Sequence, residues 1–177
     1  MIQTATTLLY KNRWISLRED EIRLPDGSSG IYTVVDKPTA ALIIPMENDG
    51  FHLIEQFRYP VGRRSWEFPQ GTWSDDRAAP AEDLAHAELA EETGLRAGTL
   101  RRLGRLALAP GLTSQECEAF LATDLTAGPV AREHTEQGMT QRWFGRGDVE
   151  QMIRDGEITD SPTIAAYTLL RLIEEVG

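Results

Sequence analysis

The chain has 177 residues, 41% of them hydrophobic, and a formal charge of −10. That length suffices for one domain with a real core, and the composition is ordinary for a globular protein rather than a disordered one. The acidic balance speaks against a nucleic-acid partner, because such binding neutralises phosphates with Lys and Arg, while local arginines leave room for a small phosphorylated ligand. Cys117 alone makes no internal disulfide, and with no CxxC or Cys/His cluster there is no zinc signature; a reducing cytoplasm is the expected location. No stretch approaches the ~20 apolar residues of a membrane span and no basic-then-apolar leader is present, so neither a membrane partner nor export is expected.

In chain order, short strands are expected over Thr6 to Tyr10, Trp14 to Leu24 and Ile31 to Val35, with Pro25-Asp26-Gly27 turning between the last two. These make residues 1–36 a small antiparallel N-terminal sheet, followed by a main domain over 37–177. Ala40 to Met46 and Phe51 to Phe57 flank Glu47-Asn48-Asp49-Gly50, whose Asp-Gly ending favours a hairpin. Trp66-Glu67-Phe68-Pro69-Gln70-Gly71 is an apolar stretch ending in a turn, and a polar loop leads on to Pro80. Pro80 with Glu82 and Asp83 opens a helix that Gly94 stops. Strands follow over Leu100 to Leu108, Glu118 to Thr123 and Gln141 to Phe144, with a polar loop between Asp124 and Thr140. A short helix from Asp148 to Arg154 ends at Asp155-Gly156, and Asp160 or Ser161 caps a last amphipathic helix.

The helix before Gly94 carries the chemistry. At about 100° per residue, Glu88, Glu91 and Glu92 fall within roughly a third of its circumference. Like charges at this spacing repel, so the strip is either solvated or neutralised by a cation, and oxygen ligands suit Mg²⁺ or Mn²⁺.

Gly71 together with Glu88-Leu89-Ala90-Glu91-Glu92-Thr93-Gly94-Leu95 resembles the Nudix box, G-x5-E-x7-R-E-U-x-E-E-x-G-U with U aliphatic. The spacing from Gly71 to Glu88 is two residues longer than the pattern, Ala87 stands where the pattern has Arg, and Ala79 stands at its early Glu. Glu55 to Arg64 followed by Trp66-Glu67-Phe68-Pro69, then Ala109-Pro110-Gly111-Leu112-Thr113 and Asp160-Ser161-Pro162-Thr163, resemble segments of the ADP-ribose pyrophosphatases within that family. The resemblance implies an α+β fold, an α/β/α sandwich with a mixed sheet between helices. It implies a Mg²⁺-dependent hydrolase acting on ADP-ribose or another nucleoside diphosphate sugar, with Mn²⁺ as a substitute.

By the same resemblance, Glu88, Glu91, Glu92 and the main-chain carbonyl of Gln70 are metal ligands, although the Gln70 side chain could instead touch substrate. Glu136 or Glu133, on the late loop, is the base. Arg58 meets the diphosphate, Glu67 holds ribose hydroxyls, and Arg64, with Arg63, is a further phosphate contact. Trp14 and Tyr59 are weighed as base-stacking against the core, and Trp66 is assigned to the core. The N-terminal sheet, too small for its own core, is expected to form a homodimer. Two other readings stay open: a dinucleoside polyphosphate or RNA 5′-end pyrophosphohydrolase, suggested by Phe68-Pro69-Gln70-Gly71, and a non-catalytic nucleotide sensor, suggested by the altered box.

Overall fold

The N-terminal segment is a meander because its turns are local. In the computed structural model, which describes residues 1–73, 79–130 and 138–176, β1 (Ile2–Lys11), β2 (Ser16–Arg23) and β3 (Ser29–Asp36) pair antiparallel in that order. The second strand begins at Ser16 rather than at Trp14. Asn12 Oδ1 accepts from the amides of Trp14, at 2.8 Å, and Ile15, at 2.9 Å, and this side-chain turn removes both residues from the strand. Gly27, with φ 84°, makes the second turn as expected. Arg18 ties β2 to β3 through Asp36, 2.6 Å away. Every residue of β1 is exposed, Leu8, Leu9 and Tyr10 included.

The main sheet starts with β4 (Ala40–Glu47) and β5 (Gly50–Arg58). Their hairpin turns on Asn48 and Asp49, both left-handed at φ 51° and 53°, a geometry that matches the twist of the flanking strands. Gly50 is therefore a strand residue, and its lack of a side chain serves a different end: a Cβ there would run into the Trp143 ring and the Phe144 carbonyl. After β6 (Arg63–Glu67), Pro69 offers no N–H, and pairing resumes in β7 (Gln70–Gly71). α1 (Ala81–Thr93), β8 (Leu95–Ala107), β9 (Glu116–Ala127), β10 (Thr140–Gly145), α2 (Arg146–Arg154) and α3 (Ser161–Glu174) follow.

The strand order is β10-β5-β4-β9-β8, with β6 beside β5 and β7 beside β4. The β4–β9 pair is parallel, whereas β8 pairs β9 antiparallel. Both β8 and β9 outrun the expected spans, since their register holds from Ala107↔Glu116 to Leu95↔Ala127. In the added length Leu95, Ala97 and Leu125 pack against the α1 side of the core, while the polar residues between them leave only a sparse apolar signal. A register shift between Arg102 and Gly104 bends this edge strand, a common guard against edge-to-edge pairing.

Burial on both faces explains why β4 reads as one apolar run. Ala40, Leu42 and Ile44 cluster with Val149, Met152, Ala166 and Leu170 from α2 and α3. Ala41 and Ile43 cluster with Leu84, Ala85 and Leu89 of α1 and with Phe120. The layers are thus helix, mixed sheet, helices: the expected α/β/α sandwich. Phe51 joins them, standing edge-on to Phe68 at 5.9 Å and to Tyr167 at 5.7 Å. Of the two candidate caps of α3, Asp160 is the one used, its side chain accepting from Thr163 N. Among the described residues no helix is long and apolar enough to cross a membrane.

Candidate functional site

The sheet-facing stripe of α1 is apolar at first and acidic later. Leu84 and Ala85 enter the core, and one turn on, Glu88 and then Glu92 take the same side of the helix. Glu92 is 2% exposed, while Glu88 and Glu91 are partly buried. The stripe ends against β7, where Glu92 Oε2 accepts from Gln70 N at 3.0 Å. Beside it the Glu88 carboxylate lies so close to Gly71 that a Cβ would overlap it. The glycine of the box pattern thus leaves the room that the Glu88 carboxylate occupies. The helix stops at Gly94, φ 74°, whose amide returns to Ala90 O.

A second set of polar groups adjoins this contact. Glu67 is fully buried and takes two bonds from Arg58 Nε, at 3.0 and 3.2 Å, and one from its terminal nitrogen at 2.8 Å. Gln70 Nε2 donates to Glu67 Oε2 at 3.1 Å and to Asp160 Oδ2 at 3.0 Å. Burial raises the Glu67 pKa, and Asp160 adds to this, against the opposing pull of Arg58 and Gln70. For Arg58, burial acts downward, but Glu67, Asp160 and Glu92 outweigh it and leave the guanidinium more firmly protonated. The structure thus brings Arg58, Glu67, Gln70 and Glu92 together, and it makes Arg58 and Glu67 each other's partners.

The structure places Arg64 apart from this set. It faces the opposite side of β6 and bonds Glu55 Oε2 at 2.8 Å and the Gly138 carbonyl at 2.9 Å. Arg63 points toward Thr159, with which it bonds, in a cavity of about 260 Å³ shared with Arg58 and Asp160. Trp66 packs edge-on against Phe144 at 4.9 Å, in the core as expected. Trp14 and Tyr59 are not buried: 40% and 86% of their surfaces are exposed. The expected base, Glu136 or Glu133, lies outside the described residues.

Sequence reasoning missed Lys37. It lines a cleft of about 500 Å³ with Arg13, Trp14 and Trp73, between the β1–β2 turn and the start of the main sheet. Burial lowers the Lys37 pKa, and repulsion from Arg58 lowers it further, so the two cations lie near enough to act on each other. Nothing in the local sequence marks Lys37; its proximity to Arg58 arises only when β4 and β5 fold back on each other as a hairpin. Asp160, by contrast, sits in a segment that the sequence did single out.

For a divalent ion the donor chemistry fits: three carboxylates on one helical strip, with a main-chain turn drawn against them. Among the described residues, no three His, Cys, Asp or Glu side chains converge on one point as a finished cage.

The family model of the nucleoside diphosphate sugar hydrolase N-terminal domain matches residues 3–35. An ADP-ribose pyrophosphatase of Mycobacterium tuberculosis is 34% identical over 167 residues, 93% of this chain and 80% of the relative. Another, from Bacillus subtilis, is 26% identical over 168 residues, 94% and 90% of the two chains. A crystal structure of an ADP compounds hydrolase shares the fold at a TM-score of 0.86 and 19% identity, covering 98% of this chain and 94% of that one. Given a relative this similar along most of both chains, and a box whose glycine meets its acidic helix, the chain belongs to the ADP-ribose pyrophosphatases of the Nudix hydrolase family.

Proposed function

We propose that this protein hydrolyses ADP-ribose or another nucleoside diphosphate sugar to a nucleoside monophosphate and a sugar phosphate. The observation that carries this reading is the contact between Glu92 of α1 and Gln70 N, with Gly71 against Glu88. It sets acidic oxygens beside a main-chain turn, and Arg58 joins them through Glu67 and Gln70.

Glu88, Glu91, Glu92 and the Gln70 carbonyl would hold Mg²⁺, with Mn²⁺ as an alternative. Such an ion offsets the charge of the diphosphate, the main demand of phosphoryl transfer. Arg58 meets the diphosphate in this reading, and Lys37 supplies a second positive charge nearby. Glu67, which the family resemblance assigns to ribose hydroxyls, fixes the Arg58 guanidinium. Trp14, exposed in the cleft with Lys37, offers a face to the base. In the reaction a water oxygen bonds to one phosphorus as that atom's bond to the bridging oxygen breaks. The proton of the water goes to Glu136, or to Glu133. Arg64 bonds the Gly138 carbonyl, a short way along the chain from both.

Residues 1–36 form the dimerisation segment in this proposal and 37–177 the catalytic domain. Its support is the exposure of Ile2 at 68%, Leu8 at 60%, Leu9 at 52% and Ile31 at 67%, apolar area that a second copy would cover. The deciding experiment incubates the protein with ADP-ribose and Mg²⁺ and measures released monophosphate. Full activity in excess chelator would reject the metal reading, and no release from any nucleoside diphosphate sugar would reject the substrate class.

A further inference from the structure

We propose that Asp160 is a positioning residue for the metal cradle, acting through Gln70. One oxygen, Asp160 Oδ2, accepts from two donors at 3.0 Å: Thr163 N, which caps α3, and Gln70 Nε2. The cap alone would not need an aspartate, since Ser or Asn serves as well. What a shorter residue lacks is the reach to β7. Thr163, fully buried, adds a parallel link, its hydroxyl accepting from Phe68 N at 3.0 Å. The segment from Glu67 to Gly71 is thus suspended between two helices. Asp160 and Thr163 hold it from α3, and Glu92 holds it from α1 through Gln70 N. Gln70 is fixed at its amide nitrogen and at its side chain together, so the Cα that carries its carbonyl is held from both helices. Removing the α3 tether frees the side chain and lets the peptide turn relative to Glu92.

This inference rests on the reading that Gln70 and Glu92 bind a divalent ion. Its test measures Mn²⁺ binding to the full chain by electron paramagnetic resonance of the free ion, alongside thermal melting and Mg²⁺-dependent hydrolysis of ADP-ribose. Asp160→Ser keeps a capping hydroxyl and loses the reach. It is expected to melt close to the wild type, yet to bind Mn²⁺ about 10-fold more weakly, as loss of a group that orients a ligand does. Its half-saturating Mg²⁺ rises while KM for the nucleotide changes little. Gln70→Met leaves the α3 cap untouched and is expected to show the same loss, which covers the case of a poorly folding Asp160 variant. Asp160→Asn, whose amide oxygen can accept both bonds, restores most of the affinity. Wild-type Mn²⁺ affinity in both Asp160→Ser and Gln70→Met overturns the proposal, and so does an Asp160→Asn as impaired as Asp160→Ser, which would assign the effect to charge. A wild-type chain that bound no Mn²⁺ would overturn the metal reading and this proposal together.

Discussion

Gly71 shows how a single absent side chain can carry a site. Because its missing Cβ is the space the Glu88 carboxylate uses, Gly71→Ala is expected to push that carboxylate off the turn. Turnover on ADP-ribose should then fall by about 10²-fold, comparable to Glu92→Gln, if several kcal/mol of charge stabilisation depend on the arrangement; steady-state kinetics at saturating Mg²⁺ decide it. Glu67 supports a prediction in pH. Burial raises its pKa in the fold, so the native state binds the proton more tightly than the unfolded chain does. Its contribution is complete at pH below the unfolded value and is lost as pH rises through the native one. The stability of the wild type relative to Glu67→Gln should therefore decline with rising pH above the ordinary carboxylate range. Melting curves of both proteins across that range would show a rising difference if the sign were wrong. Glu88, Glu91 and Glu92 were legible as candidates from helical spacing and the box pattern, and Gln70, Arg58 and Glu67 from the family resemblance of the segments before the box. That Arg58 and Glu67 are bonded partners was not, since Glu67 stands opposite Ile54 in the β5–β6 pair and Arg58 opposite Arg63, and only the reach of the guanidinium along the sheet joins them.

Among the elements, boundaries departed from expectation wherever a side chain or an uncovered surface took over from propensity. Asn12 ended β1 by capping a turn, and in doing so it left Trp14 exposed beside the cleft instead of in a strand. β8 and β9 extend past their expected ends as a ladder in which only scattered residues, Leu95, Ala97 and Leu125, meet the core. The centre of the molecule was readable because β4 is apolar on both faces and α1 is bounded by Pro80 and Gly94. One strained connection offers a clean measurement. Ala109, at φ 47°, sits in the left-handed region between β8 and β9 and is exposed. An L-residue there costs about 1–2 kcal/mol, of which glycine's extra chain entropy returns roughly half. Ala109→Gly is expected to raise the melting temperature by ~1–3 °C for a domain of this size. A lowered value in scanning calorimetry would show that the loop stores no such strain.

At the scale of the whole molecule, the N-terminal sheet and the main sheet differ in how they are completed. The main sheet buries its faces within one chain. β1 buries none of its residues, and a three-stranded sheet without a covered face is marginal. Light scattering at micromolar concentration is expected to give a two-fold dimer, and deletion of residues 1–36 to abolish both dimer and hydrolysis; a fully active monomer would refute the shared assembly. The parallel pairing of β4 with β9, Ala40 against Cys117, has a consequence in time. The meander closes through neighbours in sequence, whereas β4 must wait for α1, β8 and β9 to be made before its central partner exists. Pairings of such long sequence separation form slowly because loop-closure entropy is spent before any contact rewards it. During synthesis at ~5–20 residues per second, the meander, with Leu8, Leu9 and Ile31 uncovered, is complete for several seconds while the main sheet is still unable to close. The meander proposed to meet a second chain is thus available for pairing before the main sheet can close.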